Sequence, residues 1–429
     1  MNINKAEYQM NAKNKDYSIL TYAFMLAIFL SLFGVGSGDK ALADGSSNLV
    51  RQLTWILFGG LSFFECFRIR RGLELNIQFT SGFFWSVALF FYCLASCYWS
   101  AIPFVTLKRA VLFGLVVFFC FATFSKHGNN PRSFLFSLAV PVAVLILLSF
   151  LLIVIVPSVG VTSLGWRGVT SFKNEFGQLC AIGFLVFLFG FAEFKRKLLV
   201  VFLWLLSIVG LVMSQSTTCA VAVFIGSFAG VTLFFIRKST ISKYGSAMLL
   251  LLILSVVSLL LVLLTVKGNF FDDIQGKIFS LLGKSSTLTG RTKLWVLVMD
   301  NVRFHNKWLG GGYGGFWDGL GSPANFTSYR FPGGYVGQAH NGYIDIFNDL
   351  GYVGIVFLIS ILLVYFVAIA KQFAAGAPEF YFHFSFFIFI LIENYAESTF
   401  FRLVVFLNIV FFASLARVFA VAAKNKYGQ

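Results

Sequence analysis

Twelve stretches of the chain, at about residues 17–35, 52–67, 82–99, 103–124, 135–157, 174–192, 198–214, 217–236, 246–266, 352–370, 379–396 and 402–421, are apolar almost throughout. Each is close to the ~20 residues that carry a helix across the hydrocarbon core of a bilayer. With 58% hydrophobic and 12% charged residues, and a mean hydropathy of +0.84, the chain has too little polar surface to close around itself as a soluble globule. The expected fold is therefore an all-α integral membrane protein of about 12 transmembrane helices. Residues 1–266 are expected to hold helices 1–9, residues 267–351 a large loop, and residues 352–429 helices 10–12 and a tail.

The direction of these spans follows from where the positive charge lies. With the N-terminus in the cytoplasm, the inner connections and tails hold 18 Lys and Arg, among them Arg68, Arg70, Arg71, Lys195, Arg196, Lys197, Arg237 and Lys238. The short outer connections hold five: Lys40, Arg51, Arg167, Lys173 and Arg402. That asymmetry puts both termini inside and the large loop outside. It also accounts for much of the net charge of +16, which in a soluble protein would have suggested nucleic acid; the partner expected here is the lipid bilayer, and no nucleic acid. Ala41-Leu42-Ala43 has the look of a signal-peptidase site, but the apolar run before it is longer than a usual signal core and its leading tail is long, which favours retention. All six cysteines sit in or at the ends of apolar runs, which argues against a disulfide framework and against a zinc site.

Chemistry has one obvious address. Thr287 to Gly351 is the long segment rich in Gly, Asn, Asp, Arg and His. Within it, Trp295, Val298, Met299 and Val302 are spaced as on a helix, and so are Tyr343, Ile346, Phe347 and Leu350; both read as short amphipathic helices on the outer membrane surface or folded back on the bundle. His340 and Asn341 stand at the start of the second, where helix N–H groups favour an anion and a neutral imidazole able to accept a proton. The alternative is that His340 only caps and packs. Gly310 to Gly315 reads as a close backbone approach or a hinge. Gly283-Lys284-Ser285 mimics the end of a nucleotide-binding loop, but Ile278 holds the required upstream glycine position, so nucleotide binding is rejected. The scattered Asp272, Asp273, Asp300, Asp318, Asp345 and Asp349 lack compact metal-ligand spacing and read as solvated loop surface, so no metal and no cofactor is expected.

Charge inside a span defaults to function. Lys108 and Arg109 lie one to two turns into the fourth run, either facing a cavity or snorkelling to the interface. Glu393 and Glu397 lie one turn apart on one face of the eleventh, either pairing with Arg402 or Arg109 or orienting a polar substrate. With Arg167, Lys173, Arg291 and His340 at the same outer depth, the reading is a cationic pocket for a lipid carrying a phosphate or pyrophosphate. A transporter, for which twelve helices is a common count, is the competing class; the chain shows neither internal repeats nor paired interrupted helices in its two halves.

The order of motifs resembles the O-antigen polymerase and O-antigen ligase superfamily of bacterial inner-membrane proteins. It runs through Trp99-Ser-Ala-Ile-Pro103, Gly168 to Asn174, Ser214-Gln-Ser216, Gly290-Arg291 with Leu294-Trp295, Gly310 to Phe316, and Ala339-His340-Asn341 closed by Gly351 in a His-x10-Gly arrangement. The resemblance implies a GT-C-like glycosyltransferase, inverting and metal-independent, with a periplasmic catalytic loop between helices 9 and 10. Its donor would be an undecaprenyl-pyrophosphate-linked oligosaccharide, its acceptor a glycan or lipid A core, with a chain-length regulator left open as a further partner. By the same resemblance Arg291 would hold the pyrophosphate and His340 would deprotonate or orient the acceptor hydroxyl; Arg109, Lys108, Arg167, Lys173, Asn341, Glu393 and Glu397 are the substrate-binding candidates that their positions suggest. Many members carry a basic residue in the turn after the seventh helix; this chain has Thr217 and Thr218. Leu288 to Trp295, Gly312 to Trp317 and His340 to Asp345 lean towards exopolysaccharide-type polymerases rather than ligases, which share donor and chemistry.

Overall fold

The structure is a computed structural model describing residues 19–33, 49–70, 80–124, 131–238, 289–301, 306–318, 321–330, 335–403 and 405–427. The apolar run at 246–266, Ala41-Leu42-Ala43, Asp272-Asp273, Gly283-Lys284-Ser285 and Val302 lie outside the described residues.

Every apolar run within the described residues is a helix. In chain order the helices are α1 (Ile19–Leu32), α2 (Leu49–Arg70), α3 (Ser81–Ala95), α4 (Pro103–Phe124), α5 (Pro131–Ile155), α6 (Lys173–Phe189), α7 (Lys197–Met213), α8 (Thr217–Lys238), α9 (Thr289–Asn301), α10 (Gly342–Ala375), α11 (Phe380–Ala396) and α12 (Phe406–Tyr427). Among the described residues, five helical spans are long and apolar enough to cross a membrane: Ser81–Tyr98, Pro103–Phe124, Phe134–Ile155, Thr217–Arg237 and Gly342–Ala375. Ile19–Leu32, Lys197–Met213, Phe380–Ala396 and Phe406–Ala420 are shorter apolar helices. The chain is an all-α membrane protein, its one small sheet among the described residues being the hairpin Val161–Thr162 with Gly165–Trp166.

Burial sorts the helices. α11 is buried on every side, from Phe380 through Phe389 to Glu393 and Asn394, and Phe406 to Val418 of α12 is nearly as enclosed. A helix that is apolar all round belongs in the middle of a bundle. Around this pair, α3, α7 and α8 present Phe84, Phe91, Leu198, Phe224 and Phe228 outwards, as lipid-facing helices do.

Lipid tails are as apolar as leucine, so helix association in a membrane rests on close packing. The most extensive contact joins α8 to α11, and Gly226 and Gly230 explain it: a Cβ on Gly226 would sit 2.5 Å from the Ser385 carbonyl oxygen, and one on Gly230 would strike the Ser385 hydroxyl. This small-xxx-small face lets the two backbones touch.

The second expected amphipathic helix is the first nine residues of α10, and its predicted face is buried: Ile346 at 3%, Phe347 at 9% and Leu350 at 1% exposure. It is not a separate surface helix. Gly351, at φ 64° and ψ −159°, breaks the helical path and the chain continues into the long apolar part of α10. Lys307 and Trp308 carbonyls accept the Tyr352 and Val353 amides that the break releases, at 2.9 and 3.2 Å. The Gly-rich loop covers the other side, with the Gly311 and Gly312 amides donating to Asn348 and Asp349 carbonyls at 2.8 and 2.9 Å.

The first expected amphipathic helix, α9, needs a correction of face. Leu294 and Val298 are the buried positions, packed with Phe316, Trp317, Ala324 and Ala339, while Met299 is 42% exposed. The helix packs on its own loop, whose aromatic residues choose the face.

Candidate active site

Four helices begin where α11 ends. Asn174, on the first turn of α6, donates from Nδ2 to Glu397 Oε1 at 2.5 Å. Cys219, on the first turn of α8, donates from Sγ to Glu393 Oε1 at 3.2 Å. Arg291, on the first turn of α9, donates from Nη2 to Glu397 Oε1 at 3.0 Å and from Nη1 to the Ala396 carbonyl. The first amide of α10, that of Gly342, donates to the Glu397 carbonyl at 3.2 Å. Unsatisfied N–H groups give a helix start a partial positive charge, so the starts of α6, α8 and α9 put the C-terminal end of α11 in a positive field, to which α10 adds its Gly342 amide. Two glutamates one turn apart occupy it.

Glu397 is the hub. Its second oxygen, Oε2, lies 3.4 Å from His340 Nδ1. Burial works to raise the Glu397 carboxyl, but the His340 ring and the Arg291 guanidinium outweigh it and hold the group below the ordinary glutamate range. One turn inwards Glu393 is fully buried; Gln178 Nε2 donates to its Oε1 at 3.0 Å, and its Oε2 has no hydrogen-bond partner among the described residues.

His340 is held from three sides. Its backbone is left-handed, at φ 51°, one of three non-glycine residues with positive φ among the described residues; the others, Gln215 and Phe401, lie in the turns before α8 and before α12. Trp295 Nε1 donates to the neighbouring Ala339 carbonyl at 2.8 Å, and the Ala339 amide donates to Asp345 Oδ1 at 3.0 Å. Gln338 Nε2 lies 3.2 Å from His340 Nδ1, and Arg402 Nη1 donates to Gln338 Oε1. The ring is about one third exposed, and its Nε2 makes no hydrogen bond among the described residues. A histidine with one nitrogen on a carboxylate and the other open can take a proton from an approaching hydroxyl.

The remaining candidates separate. Asn341 is the N-cap of α10: its Oδ1 accepts from Tyr343 and Ile344 amides at 3.1 and 3.2 Å, so the helix start expected to favour an anion is closed by the chain's own side chain. Arg109 is ion-paired with Asp318 at 2.6 Å and donates to the Gly314 carbonyl, clamping the Gly-rich loop. Arg167 donates to Val159 and Ser171 carbonyls and Lys173 to the Leu164 carbonyl, so both hold the hairpin before α6. Lys108 is exposed on α4. The cationic side chains share one end of the bundle, but Arg291 alone of them meets His340 at Glu397. The expected partners of the glutamates change as well: Glu397 holds Arg291 and His340, whereas Arg402 holds Gln338 and Arg109 holds Asp318. Nor are Asp318, Asp345 and Asp349 solvated surface; Asp349 Oδ1 accepts the Phe316 amide at 3.4 Å, and all three pin the loop to the bundle.

Sequence reading missed Asn174, Gln178, Cys219 and Gln338 as site residues. Asn174 and Gln338 lay inside motifs already noticed, but nothing in their spacing shows which carboxylate or ring they meet. No curated protein matches the chain. Residues 200–359 match a family model described as O-antigen ligase, a stretch running from α7 into α10 that holds both Arg291 and His340. That match is consistent with the O-antigen polymerase and ligase superfamily.

Proposed function

We propose that this chain is an inverting membrane glycosyltransferase that polymerises undecaprenyl-pyrophosphate-linked oligosaccharide repeat units at the periplasmic face of the bacterial inner membrane. The observation that carries the reading is the meeting of Arg291 and His340, from opposite ends of one loop, on the two oxygens of Glu397. The donor's lipid tail enters between helices, and its pyrophosphate is received by the guanidinium of Arg291. An acceptor sugar hydroxyl attacks the anomeric carbon as the bond to the phosphate oxygen breaks. The hydroxyl proton passes to His340 Nε2, and the electron pair of the breaking bond leaves with the pyrophosphate. A pyrophosphate is already a good leaving group, so positioning and charge compensation supply most of the acceleration, and the base about 10² to 10⁴.

The lean to polymerase rests on the residues around Arg291, Gly312 and His340 described above. Ligation to lipid A core is the second reading, favoured by the description of the matching family model. The test is purified protein with a lipid-linked repeat unit, products separated by size, for wild type, His340→Ala and Arg291→Ala. A ladder of lengthened lipid-linked chains that disappears in both variants supports the polymerase. Transfer only when lipid A core is supplied makes it a ligase. Lipid-linked oligosaccharide crossing reconstituted vesicles at unchanged length, with no transfer to either acceptor, overturns the transferase.

A further inference from the structure

We infer that Glu397 is a positioning residue that sets the tautomer of His340, and so whether the Nε2 facing the acceptor hydroxyl carries a lone pair or a proton, and that Gln338 competes with it for Nδ1. The inference rests on the glycosyl-transfer reading above and assigns Glu397 a role other than sugar binding.

A neutral imidazole has one N–H and one lone pair, so Nδ1 either donates or accepts. Glu397 Oε2, at 3.4 Å, only accepts when ionised, and engaging it needs Nδ1–H; Nε2 then carries the lone pair that a general base requires. Gln338 Nε2, at 3.2 Å, only donates, and engaging it needs a lone pair on Nδ1; Nε2 then carries the proton and is useless as a base. The orientation of the Gln338 carboxamide is not free, because Arg402 donates to its oxygen and so turns its N–H2 end towards the ring. Two neighbours thus ask His340 for opposite tautomers. The ionised state of Glu397 tips the balance, and Asn174 and Arg291 on its other oxygen, with the helix starts behind them, keep it ionised. Among the described residues, the charged or titratable groups facing this carboxylate from the elements packed around it are Arg291, His340, Glu393 on its own helix and Cys219 on α8; Arg402 stands one side chain away, behind Gln338.

The test uses the full chain in detergent with a lipid-linked repeat unit, comparing Glu397→Gln, Glu397→Asp, Gln338→Glu and the double variant Gln338→Glu/Glu397→Gln with wild type and His340→Ala. Glu397→Gln is expected to lower kcat about 10²- to 10⁴-fold, the size of losing a correctly oriented base, with KM changed by no more than about threefold. In the double variant residue 338 becomes the acceptor for Nδ1–H, and kcat is expected to recover at least about tenfold over Glu397→Gln. A carboxylate that merely supports the fold cannot be replaced from the other side of the ring. If Glu397→Gln fails to give monodisperse protein, Glu397→Asp with and without Gln338→Glu carries the same comparison. A raised KM at unchanged kcat, or a folded double variant as slow as Glu397→Gln, overturns the inference and leaves the transferase reading standing so long as His340→Ala is inactive. Wild type that transfers nothing overturns both.

Discussion

Asn174 Nδ2 and Glu397 Oε1 lie 2.5 Å apart, across 223 residues of chain, and this bond ties the first turn of α6 to the end of α11 directly beneath His340. A neutral donor on a buried carboxylate is worth about 1.5–3 kcal/mol. Asn174→Ala is expected to cost about that much in thermal stability in detergent, and to lower transfer. Asn174→Asp is expected to be worse, because two carboxylates would share one place in low dielectric. Wild-type melting and activity in Asn174→Asp would show that the bond carries neither.

The depressed carboxyl of Glu397 has a pH signature. A group whose folded pKa is below its unfolded value stabilises the fold above the unfolded value, here the ordinary 4.5, and loses that contribution as pH falls through the lower folded value. Removing Arg291 takes away one of the influences that hold the carboxyl down, so the acid loss is expected to move up in pH in Arg291→Ala. Melting temperature against pH below 5 for wild type and variant is the measurement; coincident curves would sever Arg291 from Glu397.

Gly351 is irreplaceable on two counts. Its φ of 64° with ψ of −159° belongs to glycine almost alone, and a Cβ there would meet the Trp308 carbonyl carbon and oxygen. Gly351→Ala is expected to destabilise by about 3 kcal/mol, combining backbone strain and overpacking. Gly321→Ala, with nothing within 4 Å of the new methyl, is expected to stay within about 0.5 kcal/mol and serves as the control.

Arg109 and Asp318 form a pair that pins the Gly-rich loop, their side chains 28% and 11% exposed. Partial exposure keeps the coupling modest, about 1 kcal/mol in a double-mutant cycle of Arg109→Ala and Asp318→Ala measured by thermal stability. The two single variants are expected to lower transfer alike. If Asp318→Ala leaves transfer intact while Arg109→Ala abolishes it, Arg109 acts on substrate instead of on the loop.

The sequence by itself determined the number and length of the apolar runs, the helical faces of the first turns of α10, the close approach of the Gly-rich loop, and the polar segment that holds Arg291 and His340, which only the family resemblance paired. These are local quantities: span length, periodicity, and the rarity of polar side chains in an apolar chain. What the tertiary structure decided is who meets whom. It chose Leu294 and Val298 over Met299 as the buried face of α9, because Phe316 and Trp317 pack there and no spacing encodes that. It took Arg109 out of the cationic cluster and gave it to Asp318, and it took Asn341 for the cap of α10. Above all it brought the starts of α6, α8, α9 and α10 to the end of α11. In a bundle with so few charges, each buried ion must find its counterpart within reach, and that reach is fixed by how the helices cross rather than by their order in the chain.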